Sequence, residues 1–458
     1  MLGLRLRDQP APATGLGLRD QPAPATGLGL RDQPRLGYRP ALDGMRAVSI
    51  VVVMCFHDLL IKGGYLGVNV FFVLSGFLIT SLLTEEFSSS GRIAVGNFYI
   101  RRALRLLPCL FLVVAAVFIY DGFQPIPDAA SRLWGDARAA LLYFANWRAA
   151  FGHPAPLGYF THAWSLSIEE QFYLSWPLIL LVALRLRGRS LALALALVGA
   201  VAPALVRIVV WHGPASVVRE YNGLGTRADA LFVGCSLALI LSLFRDRHRG
   251  RPEAVAGPLR GQGHALVQGH DRRVRRLWPV GLGALAWASL AFLGWAFGAM
   301  VYTSISLYYW GLAATAVASA VVIAHVVVSP RAMLARLLAI PPLVWVGRIS
   351  YGLYLWHWPV FLVLNGSRLG WTSGPTMALR VTVSLTLATM SYWLWERPFL
   401  GLKVNFSGGG RLRVGARPAP TGVAAPAVVG TAAAAPAIAA PAIIGSAVLR
   451  TAERMRAS

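Results

Sequence analysis

Charged residues are scarce in this chain. They make up 14% of its 458 residues, while apolar residues make up 56%. Soluble globular proteins carry about 25% charged residues. Several uncharged stretches also approach the roughly 20 residues that a helix needs to cross a bilayer. The composition therefore excludes an ordinary soluble domain and indicates an integral membrane protein.

Cysteine is rare as well. The three cysteines, Cys55, Cys109 and Cys235, lie in or beside apolar stretches and show no regular spacing. An odd and irregularly spaced set excludes a disulfide framework and a zinc motif. We therefore expect the three cysteines to serve as small residues packed inside the membrane, and we expect no bound metal.

Acidic residues number only 19 against 43 Lys and Arg, which gives a net charge of +24. Such a charge can indicate nucleic-acid binding, but here the basic residues cluster between apolar segments. That distribution is typical of the cytoplasmic loops of membrane proteins. We therefore expect a multi-pass protein of a bacterial cytoplasmic membrane, with membrane lipids and no nucleic acid as partners.

Both ends of the chain have low-complexity composition. Residues 1–37 contain a polar, proline-broken repeat that starts at Leu6, Leu18 and Leu30, and they lack the apolar region of a signal peptide. We predict a disordered extension here rather than a binding arm. Residues 403–458 are rich in Ala and Pro, and prolines interrupt their uncharged stretch 421–449. We predict a disordered cytoplasmic tail rather than an eleventh span.

Residues 38–402 are predicted to form an all-α membrane domain of about ten transmembrane helices, with both termini in the cytoplasm. Residues 136–150 are too short and too charged to span, so they are predicted to form an interfacial or re-entrant helix. The predicted spans are 45–61, 66–84, 104–120, 163–184, 190–211, 228–244, 277–299, 305–328, 341–364 and 376–396.

The first predicted span carries two ionisable residues, Arg46 and His57. A separation of eleven positions places both on one helical face, about 16.5 Å apart along the axis. Arg46 alone would be interpreted as a residue whose charged end reaches the cytoplasmic interface. His57 lies deep toward the outer leaflet, where a histidine needs a hydrogen-bonding partner.

Further ionisable residues lie in the fourth and ninth predicted spans. Glu169 and Glu170 stand in the fourth, and His357 stands in the ninth. By residue count all three reach the same depth as His57, below the outer surface. We therefore predict an acid–base cluster, in which a carboxylate orients an imidazole for general-base catalysis.

Polar residues in or next to the second and third predicted spans allow more than one interpretation. Arg102 and Arg105 share a helical face, which suits phosphate recognition and ordinary cytoplasmic anchoring equally. Ser75 has no Gly-x-Ser-x-Gly context, which argues against a nucleophilic serine. We expect Asn69 and Ser75 to form hydrogen bonds between helices, and Gly76 to allow close packing.

Six motifs occur in a recognisable order: Arg46-x10-His57, Phe71-Phe-Val-Leu-Ser-Gly-Phe77, Arg102-x-x-Arg105, Trp164-Ser-Leu-Ser-Ile-Glu-Glu-Gln-Phe-Tyr173, Tyr354-Leu-Trp-His-Trp-Pro359 and Trp395-Glu-Arg-Pro398. Together they resemble the acyltransferase-3 family of bacterial membrane O-acyltransferases over residues 38–399. The resemblance implies a ten-span domain that moves an acyl group, commonly acetyl, from cytoplasmic acyl-CoA to a hydroxyl. The acceptors it implies are cell-envelope glycans or glycosylated small molecules such as macrolides.

The resemblance also implies roles for particular residues. Arg46 and His57 match the family's essential pair, Arg102 and Arg105 match its second arginine motif, and Ser167 and Glu170 match its serine–x–x–glutamate element. We expect the three arginines to hold the phosphates of acyl-CoA, with no other cofactor bound. His57 would act as the base, oriented by Glu170 or Glu169, with His357 in the same cluster. Direct transfer and an acyl-histidine intermediate both stay open.

Two other classes of function compete with acyl transfer. A transporter or flippase for an envelope glycan precursor also needs buried ionisable residues, but it predicts internal symmetry, and the motifs do not repeat between 45–240 and 277–400. A membrane sensor or scaffold does not need a buried acid–base cluster. The tail after Phe406 is too short for the esterase-like domain that some family members carry, so we expect a stand-alone acyltransferase domain.

Overall fold

A computed structural model of the chain describes residues 37–123, 129–151, 158–249 and 263–406. Every regular element within these ranges is helical, which confirms the all-α prediction. The predicted extension, up to residue 36, and the predicted tail after residue 406 lie outside the described ranges.

The helices, numbered in chain order, are α1 (Pro40–His57), α2 (Gly67–Ser90), α3 (Val95–Gly122), α4 (Ala129–Leu141), α5 (Ala145–Phe151), α6 (Ala163–Val210), α7 (Val217–Asn222), α8 (Leu224–Arg227), α9 (Asp229–Arg249), α10 (Gly263–Ala299), α11 (Leu312–Val328), α12 (Met333–Leu338), α13 (Pro341–Val363), α14 (Gly366–Leu369), α15 (Ser373–Met390) and α16 (Arg397–Leu402). Two π-helical segments, Leu307–Gly311 and Ser391–Glu396, precede α11 and α16. Short 3-10 turns occupy Gly64–Leu66, Gly158–Phe160, Pro214–Ser216 and Lys403–Phe406.

Six helices in the described part of the chain are long and apolar enough to cross a membrane, which confirms a multi-pass membrane protein. They are Pro40–His57, Gly64–Ser90, Val95–Gly122, Ala163–Val210, Val280–Ala299 and Leu307–Val328. All ten predicted spans overlap helices, but the count of ten crossings stays a prediction.

Two boundaries differ from the prediction. The first helix ends at His57 rather than residue 61, because the glycines at 63 and 64 follow and favour a turn. Residues 136–150 are divided between two helices, α4 and α5, instead of forming one. Within α6, Gly188 adopts a φ of 66°, a left-handed conformation that suits glycine and bends the helix between the fourth and fifth predicted spans.

Helix α1 lies between two apolar clusters and connects them. Val53 packs into one cluster with α2, α9 and α11, while Ile50 and Met54 pack into the other with α3 and α13. Helices α1 and α13 run parallel, because the positions that meet, 46 with 350 and 57 with 357, increase together. A parallel arrangement is what the predicted topology requires of its first and ninth spans.

Helices α2 and α9 approach each other backbone to backbone through two glycines. A Cβ at Gly76 would overlap the carbonyl oxygen of Leu231, and a Cβ at Gly234 would overlap that of Val73. Nearby, Asn69 donates a hydrogen bond of 2.7 Å to the Leu312 carbonyl of α11. The close packing expected of Gly76 and the interhelical bond expected of Asn69 are both confirmed.

Replacing Gly76 by alanine is expected to destabilise the protein by about 1–3 kcal/mol, because the added methyl group meets backbone that cannot rotate away. Thermal unfolding of the detergent-purified protein measures the effect as a lower Tm. Gly294→Ala on α10 is the matched control, since a Cβ there meets no atom within 4 Å. Equal Tm values for the two variants would contradict the prediction.

Candidate active site

Arg46 and His57 both contact α13. The Arg46 Nε donates to the hydroxyl of Ser350 at 3.2 Å, and the His57 Nδ1 lies 3.1 Å from the Nε2 of His357. The predicted shared face of α1 is therefore the face that packs on α13.

The hydrogen bonds of the two histidines assign their protons. The Nδ1 of His357 lies 2.6 Å from the Tyr354 carbonyl oxygen, which can only accept, so this nitrogen carries the proton. In a neutral ring the His357 Nε2 then accepts, and the proton between the rings belongs to the His57 Nδ1. The His57 Nε2 keeps a lone pair, which is the form of imidazole that acts as a general base.

A cavity of about 150 Å³ lies at this end of the bundle, and His57 lines it. Trp358 packs on the His57 ring with centroids 4.6 Å apart. The wall of the cavity is largely aromatic, with Tyr65, Trp164, Tyr221, Tyr302, Tyr354 and Trp358 among its lining residues. Small-molecule sites commonly have such walls around a few polar groups.

A third histidine, His162, lies beside His57 and His357, and it was not predicted as a site residue from the sequence. It lines the cavity, is 4% exposed, and its ring centroid lies 5.6 Å from that of His357. Its own carbonyl accepts a 2.7 Å hydrogen bond from the Tyr354 hydroxyl. The available signal was its position, two residues before the motif that begins at Trp164.

The two glutamates do not join the histidines, so the predicted His–Glu contact is wrong. Glu170 accepts hydrogen bonds from the Arg102 Nε and Nη2 at 2.9 and 2.8 Å. Glu169 accepts a 2.7 Å bond from the hydroxyl of Ser75, which confirms the interhelical bond expected of that serine.

The difference arises from depth. Helix α6 begins at Ala163, and Glu170 lies seven residues further on, about 10.5 Å along the axis. His57 is instead the last residue of α1. His162, which immediately precedes α6, lines the same cavity as His57.

The three arginines form a second polar group, which the glutamates adjoin. Arg102 is bonded to Glu170, and its guanidinium lies 3.1 Å from the centroid of the Tyr173 ring. Arg105 lies near enough to Arg46 and Arg102 for their charges to interact. Among the residues that the structure describes, Arg105 has neither an ion pair nor a hydrogen bond from its side chain. Arg105 is thus the arginine most available to an anion.

Ser167 and Gln171 attach α5 to α6 beside these groups. The Ser167 hydroxyl accepts a 3.2 Å bond from the backbone N–H of Ala145. The Gln171 Nε2 donates to the Tyr143 carbonyl at 2.7 Å and to the Asn146 side chain at 2.8 Å. The serine expected to be functional therefore has a structural contact.

Glu169 lies between the arginines and the histidines. It is close enough to interact electrostatically with Arg46 on one side and with Tyr354 on the other. Polar groups therefore continue from the arginines to His57 inside the bundle. Within the described ranges, no group of three or more His, Cys, Asp or Glu side chains is arranged to hold a metal ion.

Comparison with known proteins agrees with these motifs. The sequence model of a family described as "Acyltransferase domain" matches residues 39–394. The chain belongs to the acyltransferase-3 family. The family match and the six apolar helices together identify a membrane protein with an acyltransferase domain.

Three curated relatives of this chain are named as O-acetyltransferases. It is 31% identical over 381 residues to "Peptidoglycan O-acetyltransferase OatA" of Listeria monocytogenes, covering 79% of this chain and 56% of the relative. It is 31% identical over 388 residues to "Putative peptidoglycan O-acetyltransferase YrhL" of Bacillus subtilis, covering 79% and 55%. "O-acetyltransferase OatA" of Staphylococcus aureus is 29% identical over 370 residues, covering 79% and 57%.

The acyltransferase spans just over half the length of these relatives. No solved structure matches it significantly.

Proposed function

We propose that this acyltransferase moves an acetyl group from cytoplasmic acetyl-CoA to a hydroxyl of a cell-envelope glycan, with peptidoglycan as the preferred acceptor. The observation that carries the proposal is the His57–His357 pair, whose proton arrangement leaves a basic nitrogen on a residue that lines the cavity. The names of the relatives support acetyl as the acyl group and peptidoglycan as the acceptor.

In the proposed reaction the His57 Nε2 takes the proton of the acceptor hydroxyl as its oxygen attacks the thioester carbonyl. The carbon–sulfur bond breaks, and His57 returns the proton to the departing thiolate. The His57 Nδ1–H stays bonded to His357, which holds the ring in orientation and stabilises the imidazolium that forms. A direct transfer of this kind needs no acyl-enzyme.

The donor is proposed to enter from the arginine group. Guanidinium groups bind phosphate strongly, and neither Arg46 nor Arg105 forms an ion pair with a carboxylate among the described residues. From Arg46 to His57 the distance along α1 is about 16.5 Å. An extended pantetheine arm that follows this path would bring the thioester to the cavity.

The acceptor is proposed to enter through the cavity beside His57. Aromatic rings such as Tyr65, Tyr302 and Trp358 offer flat apolar faces against which a sugar ring can pack. This arrangement fits a ten-span topology with both termini in the cytoplasm, because the arginine group then faces the donor compartment and the cavity faces outward.

Labelled acetyl-CoA, incubated with membranes that contain the protein and with peptidoglycan fragments, is expected to yield O-acetylated fragments detectable by mass spectrometry. Membranes with equal amounts of His57→Ala protein are expected to yield none above the background of empty membranes. Parallel incubations with acetyl phosphate and with other envelope glycans test the donor and the acceptor separately.

Labelled product from acetyl phosphate but not from acetyl-CoA would overturn the donor. Labelling of another glycan in place of peptidoglycan would overturn the acceptor alone. Uptake of a glycan precursor into vesicles, without any acetyl transfer, would favour a transporter instead.

A further inference from the structure

The short turn Lys403–Phe406, placed in the predicted tail by sequence, packs against the start of α3. The Arg101 Nη1 donates a 2.6 Å hydrogen bond to the carbonyl oxygen of Phe406. This bond fixes the turn beside the helix that carries Arg102 and Arg105.

Lys403 lies near these arginines. Its ammonium group is within electrostatic range of Arg105, Arg102 and Arg101 on α3, and of Glu396 on the preceding π-helical segment. Like charges repel, so a fold that gathers them spends free energy unless an anion joins them.

The neighbouring carboxylates already have partners. Glu170 is bonded to Arg102, Glu86 lies 3.9 Å from the Arg101 Nη2, and Glu396 accepts a 3.1 Å bond from the Ser391 hydroxyl. Arg105 has no such partner among the described residues, and of the nearby cations it acts most strongly on Lys403. An anion that binds Arg105 would therefore also lie within range of the Lys403 charge.

We propose that Lys403 binds a phosphate of the donor together with Arg105 and Arg46, and that its charge state sets the donor affinity above neutral pH. The inference rests on the proposed acyl-CoA donor. It adds to the two-arginine motif a residue that is far from the motif in the sequence.

The environment of Lys403 brings its titration into an accessible range. Partial burial, followed by the positive charges of Arg105, Arg102 and Arg101, lowers the pKa of Lys403 from 10.5 to about 8. A bound phosphate raises that pKa again. Donor affinity is then highest well below the free-state pKa of about 8, and it falls as the pH rises from this value toward the bound-state pKa. Arginine would show no such dependence, because it stays charged throughout.

The test measures binding of coenzyme A to the full chain in lipid nanodiscs by titration calorimetry. The wild-type affinity is expected to fall about tenfold between about pH 7 and about pH 9, because a group with a pKa of about 8 keeps a tenth of its protonation at the higher value. Lys403→Met is expected to bind weakly at both values. Lys403→Arg is expected to bind well at both.

The matched control is Lys62→Met. Lys62 and Lys403 are the two lysines of the chain, and Lys62 is exposed in the loop after α1. The control is expected to behave as wild type does. Wild-type pH dependence retained in Lys403→Arg or Lys403→Met would overturn the role of Lys403 while leaving the donor intact. A wild-type protein that binds no coenzyme A at any pH would overturn the donor, and the inference with it.

Discussion

Replacing His57 by glutamine is expected to lower kcat by about 10²–10⁴-fold, the range that general-base catalysis contributes. Glutamine can fill the space beside Trp358 and hydrogen-bond to His357, but it has no nitrogen that takes up a proton at neutral pH. The measurement is acetyl transfer in membranes, normalised to the amount of protein. Affinity for coenzyme A is expected to stay within about twofold, because the proposed phosphate site lies about 16.5 Å away along α1.

The control for His57 is His212→Gln, which changes an exposed histidine outside the cavity. It is expected to keep wild-type kcat. If His57→Gln also kept it, the proposed base would be wrong.

His357 allows the proton arrangement to be tested separately. His357→Leu removes the acceptor for the His57 Nδ1–H and is expected to lower kcat about 10–100-fold, the cost typical of losing a partner that orients a functional histidine. His357→Gln supplies an amide oxygen that can accept the same proton, so it is expected to recover part of the loss. Equal activities of the two variants would indicate a packing role alone.

Arg102→Met is expected to destabilise the protein by about 3–5 kcal/mol, because it leaves the Glu170 carboxylate buried without its partner. The side chains of the pair are only 16% and 13% exposed. The double variant Arg102→Met/Glu170→Met is expected to recover most of the loss, since replacing both partners by apolar groups is often close to neutral. Tm values of the wild type, Arg102→Met, Glu170→Met and the double variant, measured in one detergent, complete the cycle.

Arg105→Met is the matched variant, three residues further along α3. Because Arg105 has no ion pair in the described structure, we expect its Tm to change little. Donor binding is expected to weaken by about 1.5–3 kcal/mol, roughly 10- to 150-fold, as for a lost hydrogen bond to a charged group. The opposite pattern, in which Arg105→Met unfolds the protein and Arg102→Met spares it, would reverse the roles assigned to the two arginines.

Local pattern predicted much of the fold. Apolar stretches of bilayer length identified the helices, and the spacing of Arg46 and His57 identified the face of α1 that packs on α13. Gly76 and Asn69 were recognised as interhelical contacts because small and polar residues inside a span have few other roles. These inferences succeeded because each depends on one helix.

Predicting the site required the relative positions of several helices. Residue counting put Glu169 and Glu170 at the level of His57, but α1 ends at His57 rather than at residue 61, and four residues correspond to about 6 Å along a helix. The structure places Glu170 beside Arg102, Glu169 beside Ser75, and His162 beside His357.

By itself the sequence determined that this is an α-helical membrane protein, that Arg46 and His57 share a face, and that its motifs are those of an acyltransferase. Only the tertiary structure decided that His357, rather than a glutamate, accepts the hydrogen bond from the His57 Nδ1–H, and that Lys403 lies near the arginines of α3. The physical reason is that periodicity fixes directions within a helix, whereas depth, rotation and neighbours are set by packing between helices.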